Sequence, residues 1–598
     1  MPPRRRGNGW RGSSRLDGRP PGHVVHPRPV LSAPSSASGW LRRAAGVAAL
    51  AGVVGLAFGL DLGRAHFWDP GEGRYAETVR EMLLTHDWIV PTLDFAHYYD
   101  KPPGFYWLVA GCFRLFGVSE WAARLPAALA AVLTIAVTVA FGWRRVGAGA
   151  ALAAGAILAT AGEFVVLGRS VRMDMLLALA VTGTLLHAYA LWTDDDGIAG
   201  ERSRPTSTWP IYVLPAVGML VKGPVAVILP LLVLGTFAAL TGEYGRVRRL
   251  RPGAGLAVAL AIAASWYVIA AVRAPEYLWS FLWRQNVGRY LEGASGTGHS
   301  EPFWFYFWVL PITFLPWTLF LPGAFRRSVH RARHGHDLDV FLLAWVVVVF
   351  VFFTLSRAKL ATYLLPLFPA LALMVAAYLR DIVVAPAAMR ARALAIPTVV
   401  WSVALIGLPS AIAIGVAVKY PAFGWRASTA LTLLVFPFAG LLLARRRRWE
   451  AIPALIAVAA LASQILFYRA GAPIVNEFSS LHAAADVARA LPEDARILAF
   501  KTRGHSFTFY AGRRLTRVRS PEHVAAALQG EAPIGLLTKA KYLDRIQAHL
   551  TEPVCVWWQG VSGRVFLANR PFPDTSRHAA LVPGADGGDR IVADSPHC

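Results

Sequence analysis

The chain has 598 residues, of which 55% are hydrophobic and only 16% charged, and 60 Lys and Arg against 36 Asp and Glu give a formal net charge of +24. Near-uncharged runs approaching the ~20 residues that cross a hydrocarbon core recur along it, which excludes an ordinary soluble fold, whose helices keep a polar face. The arginines are dispersed among short loops instead of forming one stripe with interleaved aromatics, which argues against a nucleic-acid partner.

In chain order, residues 1–43 form a basic tail rich in Arg, Pro, Ser and Gly, expected to be disordered and cytoplasmic. The first apolar run begins only near Leu41, so 44–63 reads as a retained span and not as a removable leader. Twelve more apolar segments follow, at 120–142, 147–167, 173–193, 209–221, 224–240, 254–273, 303–323, 339–355, 360–379, 394–418, 427–444 and 451–468. The fold class is therefore a polytopic α-helical membrane protein with about thirteen spans, 44–470, and an odd count puts the termini on opposite sides. The glycine-rich run at 147–155 lies inside a span and reads as close helix packing, not as a phosphate loop, so no nucleotide cofactor is expected.

Lys and Arg gather in every second loop, at Arg144–Arg145, Arg246 to Arg251, Arg326 to Arg333, Arg380 to Arg392 and Arg445 to Arg448. By the positive-inside rule these loops face the cytoplasm, where they also meet anionic membrane lipids. The opposite loops then include 64–119, which contains the amphipathic segment AETVREMLLTHDWIV, read as a helix lying on the membrane surface. After about 469 the apolar runs shrink to strand length, in ARILAF, FTFYAG, IGLLTK, VCVWWQ and VFLANR, with helical patterns at 478–491 and 521–529 between them. Residues 471–598 are expected to form a small periplasmic α/β domain with a loose tail, in which Cys555 and Cys598 share a compartment that permits pairing.

Six polar clusters fall on the outer ends of the spans: DPGEGR at 69–74, YDKPP at 99–103, RMD at 172–174, KG at 222–223, His299 and SRAK at 356–359. Asp69 and Glu72 stand at a Pro70–Gly71 turn, where they can cap a helix or do chemistry. Lys101 can snorkel or bind, and His299 can be a plain interfacial residue. Together, Arg172, Asp174, Lys222 and Lys359, with Tyr363 just beyond, suggest a site for a phosphate-bearing lipid, because cations neutralise phosphate while a carboxylate handles a proton.

The stretch 68–107 resembles the first periplasmic loop of the ArnT-type aminoarabinose transferases and of related protein O-mannosyltransferase-like enzymes. Segments 221–230, 299–311 and 356–374 resemble the same family in order and spacing. The resemblance implies a GT-C fold in a bacterial inner membrane and transfer of a sugar from a polyprenyl-phosphate donor to a periplasmic acceptor, with lipid A, another glycan or protein as the alternatives. It implies that Lys101 binds the donor phosphate, where Arg172, Lys222, Lys359 and Tyr363 are expected to join it from the reading of the polar clusters. It gives Asp174 a catalytic place, and has Asp100 and His299 hold a divalent metal such as zinc. One departure stands out: where the family reads Pro-Asp-Glu, this chain has Pro70-Gly71-Glu72, so the expected catalytic aspartate is a glycine and the role of base passes to Glu72 or Asp69.

Overall fold

The computed structural model describes residues 37–68, 71–193, 207–291, 300–479, 481–502, 504–551 and 554–569. Residues 1–36 of the basic tail, Asp69, His299 and Cys598 lie outside the described residues, whereas 37–43, expected to be disordered, begin the first helix, Ala37–Phe58.

Ten helices carry the chain to residue 273: α1 (Ala37–Phe58), α2 (Glu72–Thr85), α3 (Gly104–Phe116), α4 (Glu120–Arg145), α5 (Ala148–Thr160), α6 (Gly162–Gly168), α7 (Asp174–Thr193), α8 (Pro210–Val221), α9 (Val225–Thr241) and α10 (Pro252–Arg273). Helix α4 shows how local signals fix an element. The Ser119 hydroxyl accepts from Ala122 N at its start, Glu120 sits in the first turn, and Arg144 and Arg145 close the last turn, each matching the helix dipole.

Each of the thirteen apolar segments falls on helix. Nine are long and apolar enough to cross a membrane alone, or up to 11 if two bent pairs each count as one, among the described residues. The remaining two segments are α8 and α9, shorter apolar helices that turn at Lys222–Gly223.

The two bends meet. Helices α5 and α6 bend by 67°, Phe305–Thr313 and Trp317–Arg333 by 108°. At the breaks Gly162 N donates to Leu315 O at 3.0 Å, Trp317 Nε1 to Thr160 Oγ1 at 2.9 Å, and Gln464 Nε2 to Thr160 O at 3.1 Å. Broken helices persist at membrane depth only when the freed backbone groups find such partners. The glycine-rich run packs as the sequence suggested: a methyl at Gly155 would stand 2.7 Å from Val139 and 2.8 Å from Leu50.

The outer loop differs from expectation. Helix α2 is not laid on the membrane: Tyr75, Ala76, Val79 and Met82 are buried against Phe105, Tyr106, Val109 and Phe113 of α3 and against Phe509. Its amphipathic face is covered by protein. A hairpin follows, β1 (Thr92–Leu93) paired antiparallel with β2 (Ala96–His97).

The C-terminal part holds a five-stranded sheet of β3 (Arg496–Phe500), β4 (Leu515–Val518), β5 (Ile534–Lys539), β6 (Cys555–Gln559) and β7 (Arg564–Ala568) in the order β4-β3-β5-β7-β6. The first three strands are parallel and the last two antiparallel. Apolar clusters cover both faces, which is why the strands read as continuous apolar runs. One run was misread: FTFYAG is helix, His505–Ala511, ended by Gly512 in the left-handed region at φ 68°. Its aromatics, Phe507 and Phe509, pack on one side into the sheet and on the other into the outer loop.

Candidate active site

Charges are scarce in this chain, and the fold brings residues of five of the six outer clusters to one place. A cavity of about 870 Å³ is lined by Arg74 from the first cluster, Asp100 and Lys101 from the second, Arg172 and Asp174 from the third, Lys222 from the fourth, and Ser356 and Ala358 from the last. Arg289, Tyr75, Tyr98 and Tyr363 add to the polar part, while Leu177, Val225, Ile228, Val287, Phe352 and Phe353 supply apolar surface.

Asp100 is the hub. Tyr98 donates its hydroxyl to Oδ2 at 2.9 Å, Lys101 Nζ stands 3.5 Å from Oδ1 and Arg289 Nη1 3.8 Å from it. Burial alone would raise the Asp100 carboxyl, but Lys101, Arg74 and Arg289 hold it below its ordinary value. Burial pushes the Lys101 amine down, Asp100 pulls it back up, and Arg289, Lys222 and Arg74 add to the depression. The Tyr277 hydroxyl anchors this turn by donating to Lys101 O. Across the cavity Lys222 Nζ donates to Asp174 Oδ1 at 2.7 Å and lies 5.2 Å from the Tyr363 ring centroid.

Arg74 stacks on Tyr75 at 4.8 Å and donates to its hydroxyl, while its Nε is buried with no hydrogen-bond partner among the described residues. Five cations thus line the cavity against two carboxylates, Asp100 and Asp174. Gly71 borders this group: a methyl there would stand 2.9 Å from Arg172 Nη2.

Two sequence-predicted residues stand elsewhere. Glu72 is locked in a buried fork with Arg124, at 2.9 Å from Nε and 2.8 Å from Nη2, and also accepts from Val171 N at 2.9 Å. Both its oxygens are taken, and it does not line the cavity. Lys359 likewise turns away: its ammonium donates to the carbonyls of Ser356 and Glu301 and pins the 356–359 loop.

Of the pair expected to hold a metal, Asp100 faces Lys101, Arg74 and Arg289 and His299 lies outside the described residues, among which no group of three or more His, Cys, Asp or Glu side chains converges. Sequence reasoning missed Arg289, Tyr75 and Tyr98. Arg289 follows a π-helical stretch, Trp279–Gly288, whose irregular turns give no periodic signal.

The chain is similar to known proteins in sequence and in fold. A model of the dolichyl-phosphate-mannose-protein mannosyltransferase family matches residues 100–269. The undecaprenyl phosphate-alpha-4-amino-4-deoxy-L-arabinose arabinosyl transferase of Edwardsiella ictaluri (strain 93-146) is 32% identical over 315 residues, covering 52% of this chain and 55% of that protein. A protein of that name, numbered 1, from Proteus mirabilis (strain HI4320) is 33% identical over 321 residues, with 53% and 56% covered. The chain spans about half the length of these curated relatives.

In structure the likeness is longer. The crystal structure of ArnT from Cupriavidus metallidurans bound to undecaprenyl phosphate superposes with a TM-score of 0.73 over 90% of this chain and 99% of that one, at 24% identity. The archaeal oligosaccharyltransferase AglB from Archaeoglobus fulgidus, in complex with an inhibitory peptide and a dolichol-phosphate, gives 0.51 over 91% and 76%, at 14% identity. Fold and cavity together define a polytopic membrane protein of the GT-C fold. Within that class the likeness is to the ArnT-type glycosyltransferases, in sequence and in architecture alike.

Proposed function

We propose that the chain is an inverting glycosyltransferase of a bacterial inner membrane that moves 4-amino-4-deoxy-L-arabinose from a polyprenyl-phosphate donor to lipid A on the outer face. The observation that carries this reading is a cavity in which five cations meet apolar side chains, the complement of an amphiphile with an anionic head. In this topology the N-terminus is cytoplasmic and the sheet-bearing C-terminal part is periplasmic.

Lys101, Arg74 and Arg289 hold the donor phosphate, with Arg74 Nε offering it an unengaged donor. The acceptor oxygen forms its bond to the sugar carbon as the bond from that carbon to the phosphate oxygen breaks. The electron pair leaves with the polyprenyl phosphate, whose gained charge the cation set stabilises. Glu72 does not line the cavity, and of the two carboxylates that do, Asp174, held in place by Lys222, is assigned the acceptor's proton while Asp100 holds the cation set together.

Asp174→Asn is expected to slow transfer by about 10²–10⁴-fold with donor binding kept. An unchanged rate would move the base to Asp69. Mass spectrometry of envelope lipids from cells with and without the protein tests the substrates. Loss of the aminoarabinose adduct on lipid A supports the reading, whereas unchanged lipid A with altered glycan or glycoprotein replaces the acceptor and keeps the donor chemistry.

A further inference from the structure

The hairpin that leads into the cavity is built on a turn its own residues disfavour. Strands β1 and β2 pair Thr92 with His97 and Leu93 with Ala96, so Asp94 and Phe95 alone make the turn, at φ 56° and 58°. Two successive left-handed residues define a type I′ turn, which Asn-Gly or Asp-Gly makes readily and a bulky residue such as Phe resists. Something outside the turn must hold it.

Glu81, fully buried on α2, does so: its Oε2 accepts from Thr92 Oγ1 at 2.6 Å and from Phe95 N at 3.0 Å, one group in the strand before the turn and one in the turn itself. From the C-terminal part, Arg517 Nη2 reaches Asp94 Oδ2 at 3.3 Å and His505 Nδ1 stands 3.9 Å from it. The strand beyond the turn continues directly into the cavity. Tyr98 N donates to Pro91 O at 2.8 Å, extending the pairing, and the Tyr98 hydroxyl then bonds Asp100. The register of the hairpin therefore sets where Tyr98, Asp100 and Lys101 stand.

We propose that Glu81 is a positioning residue: by clamping the strained turn through Thr92 and Phe95, it fixes the register that presents Tyr98, Asp100 and Lys101 to the donor phosphate. The inference rests on the donor reading given above. It touches no substrate and acts only through the hairpin.

The test measures undecaprenyl phosphate binding and backbone hydrogen exchange over residues 92–101 in the full-length protein in nanodiscs. Glu81→Ala is expected to weaken binding about tenfold, as two hydrogen bonds are lost, and to speed exchange over that segment. Glu81→Gln, whose amide oxygen still accepts, stays near wild type. The decisive variant is Glu81→Ala with Phe95→Gly: an Asp-Gly turn is I′-competent without a clamp, so binding and exchange return toward wild type. Should Glu81→Ala fail to fold, Thr92→Val removes one of the two bonds and takes its place, alone and with Phe95→Gly.

Binding and exchange unchanged in Glu81→Ala, or a loss that Phe95→Gly leaves in full, overturns the proposal. Exchange that speeds and recovers while even the wild type ignores undecaprenyl phosphate upholds the clamp and overturns the donor reading instead.

Discussion

Replacing Asp100 with Asn leaves Arg74, Lys101 and Arg289 facing one another without their shared counter-charge. Burial already depresses the Lys101 amine, and Asp100 is what opposes that depression, so the substitution lowers it further. A phosphate needs Lys101 protonated. The alkaline limb of the pH profile of kcat/KM should therefore shift to lower pH in Asp100→Asn, and a limb that stays in place would separate Lys101 from donor binding. Glu72 predicts the opposite kind of effect. Breaking its buried pair with Arg124 by Glu72→Gln should cost about 3–5 kcal/mol of stability, because Arg124 is left without its charge partner. Transfer per folded molecule should change only a few-fold, and a hundredfold loss at unchanged thermal stability would return Glu72 to the chemistry.

Among the elements, α2 carries the most informative charge. Burial pushes the Glu77 carboxyl up to about 7, against the two hydrogen bonds it receives from Arg80 at 2.7 Å. A carboxyl raised on folding binds its proton more tightly in the native state, so its contribution to stability is complete below about 4.5 and is lost as pH rises through about 7. Thermal unfolding of the purified protein should fall over that window by the equivalent of up to about 3 kcal/mol, and Glu77→Gln should flatten the fall. At the bent helices, Thr160→Val strands the buried Trp317 Nε1 and should cost about 1–3 kcal/mol, read as a lowered unfolding temperature. The elements themselves were largely legible, since apolar runs in a membrane chain leave little choice but helix. What the sequence could not show was which surfaces would cover them. The face of α2 looked ready for lipid, and FTFYAG looked like a strand, because Phe509 covers the one from within the other.

At the scale of the whole molecule, five of the six polar clusters converge on one cavity, with His299 outside the described residues. That convergence was readable because a charge in so apolar a chain is rarely idle. The exceptions were unreadable because their partners leave no mark in a pattern of charges: Glu72 is paired with an arginine 52 residues away, and the Lys359 ammonium donates to two backbone carbonyls, of Ser356 and Glu301. Orientation remains directly testable. A cysteine at exposed Thr516 should label from outside intact cells and one at exposed Val247 should not, and the reverse pattern would invert the topology. The contact between Gly71 and Arg172 reaches further. Gly71 has an ordinary helical backbone, at φ −74°, so nothing but space asks for glycine there, and the space is claimed by the Arg172 guanidinium. A carboxylate introduced at position 71 would meet the movable end of that arginine, so Gly71→Asp places a counter-charge beside one of the five cations of the cavity.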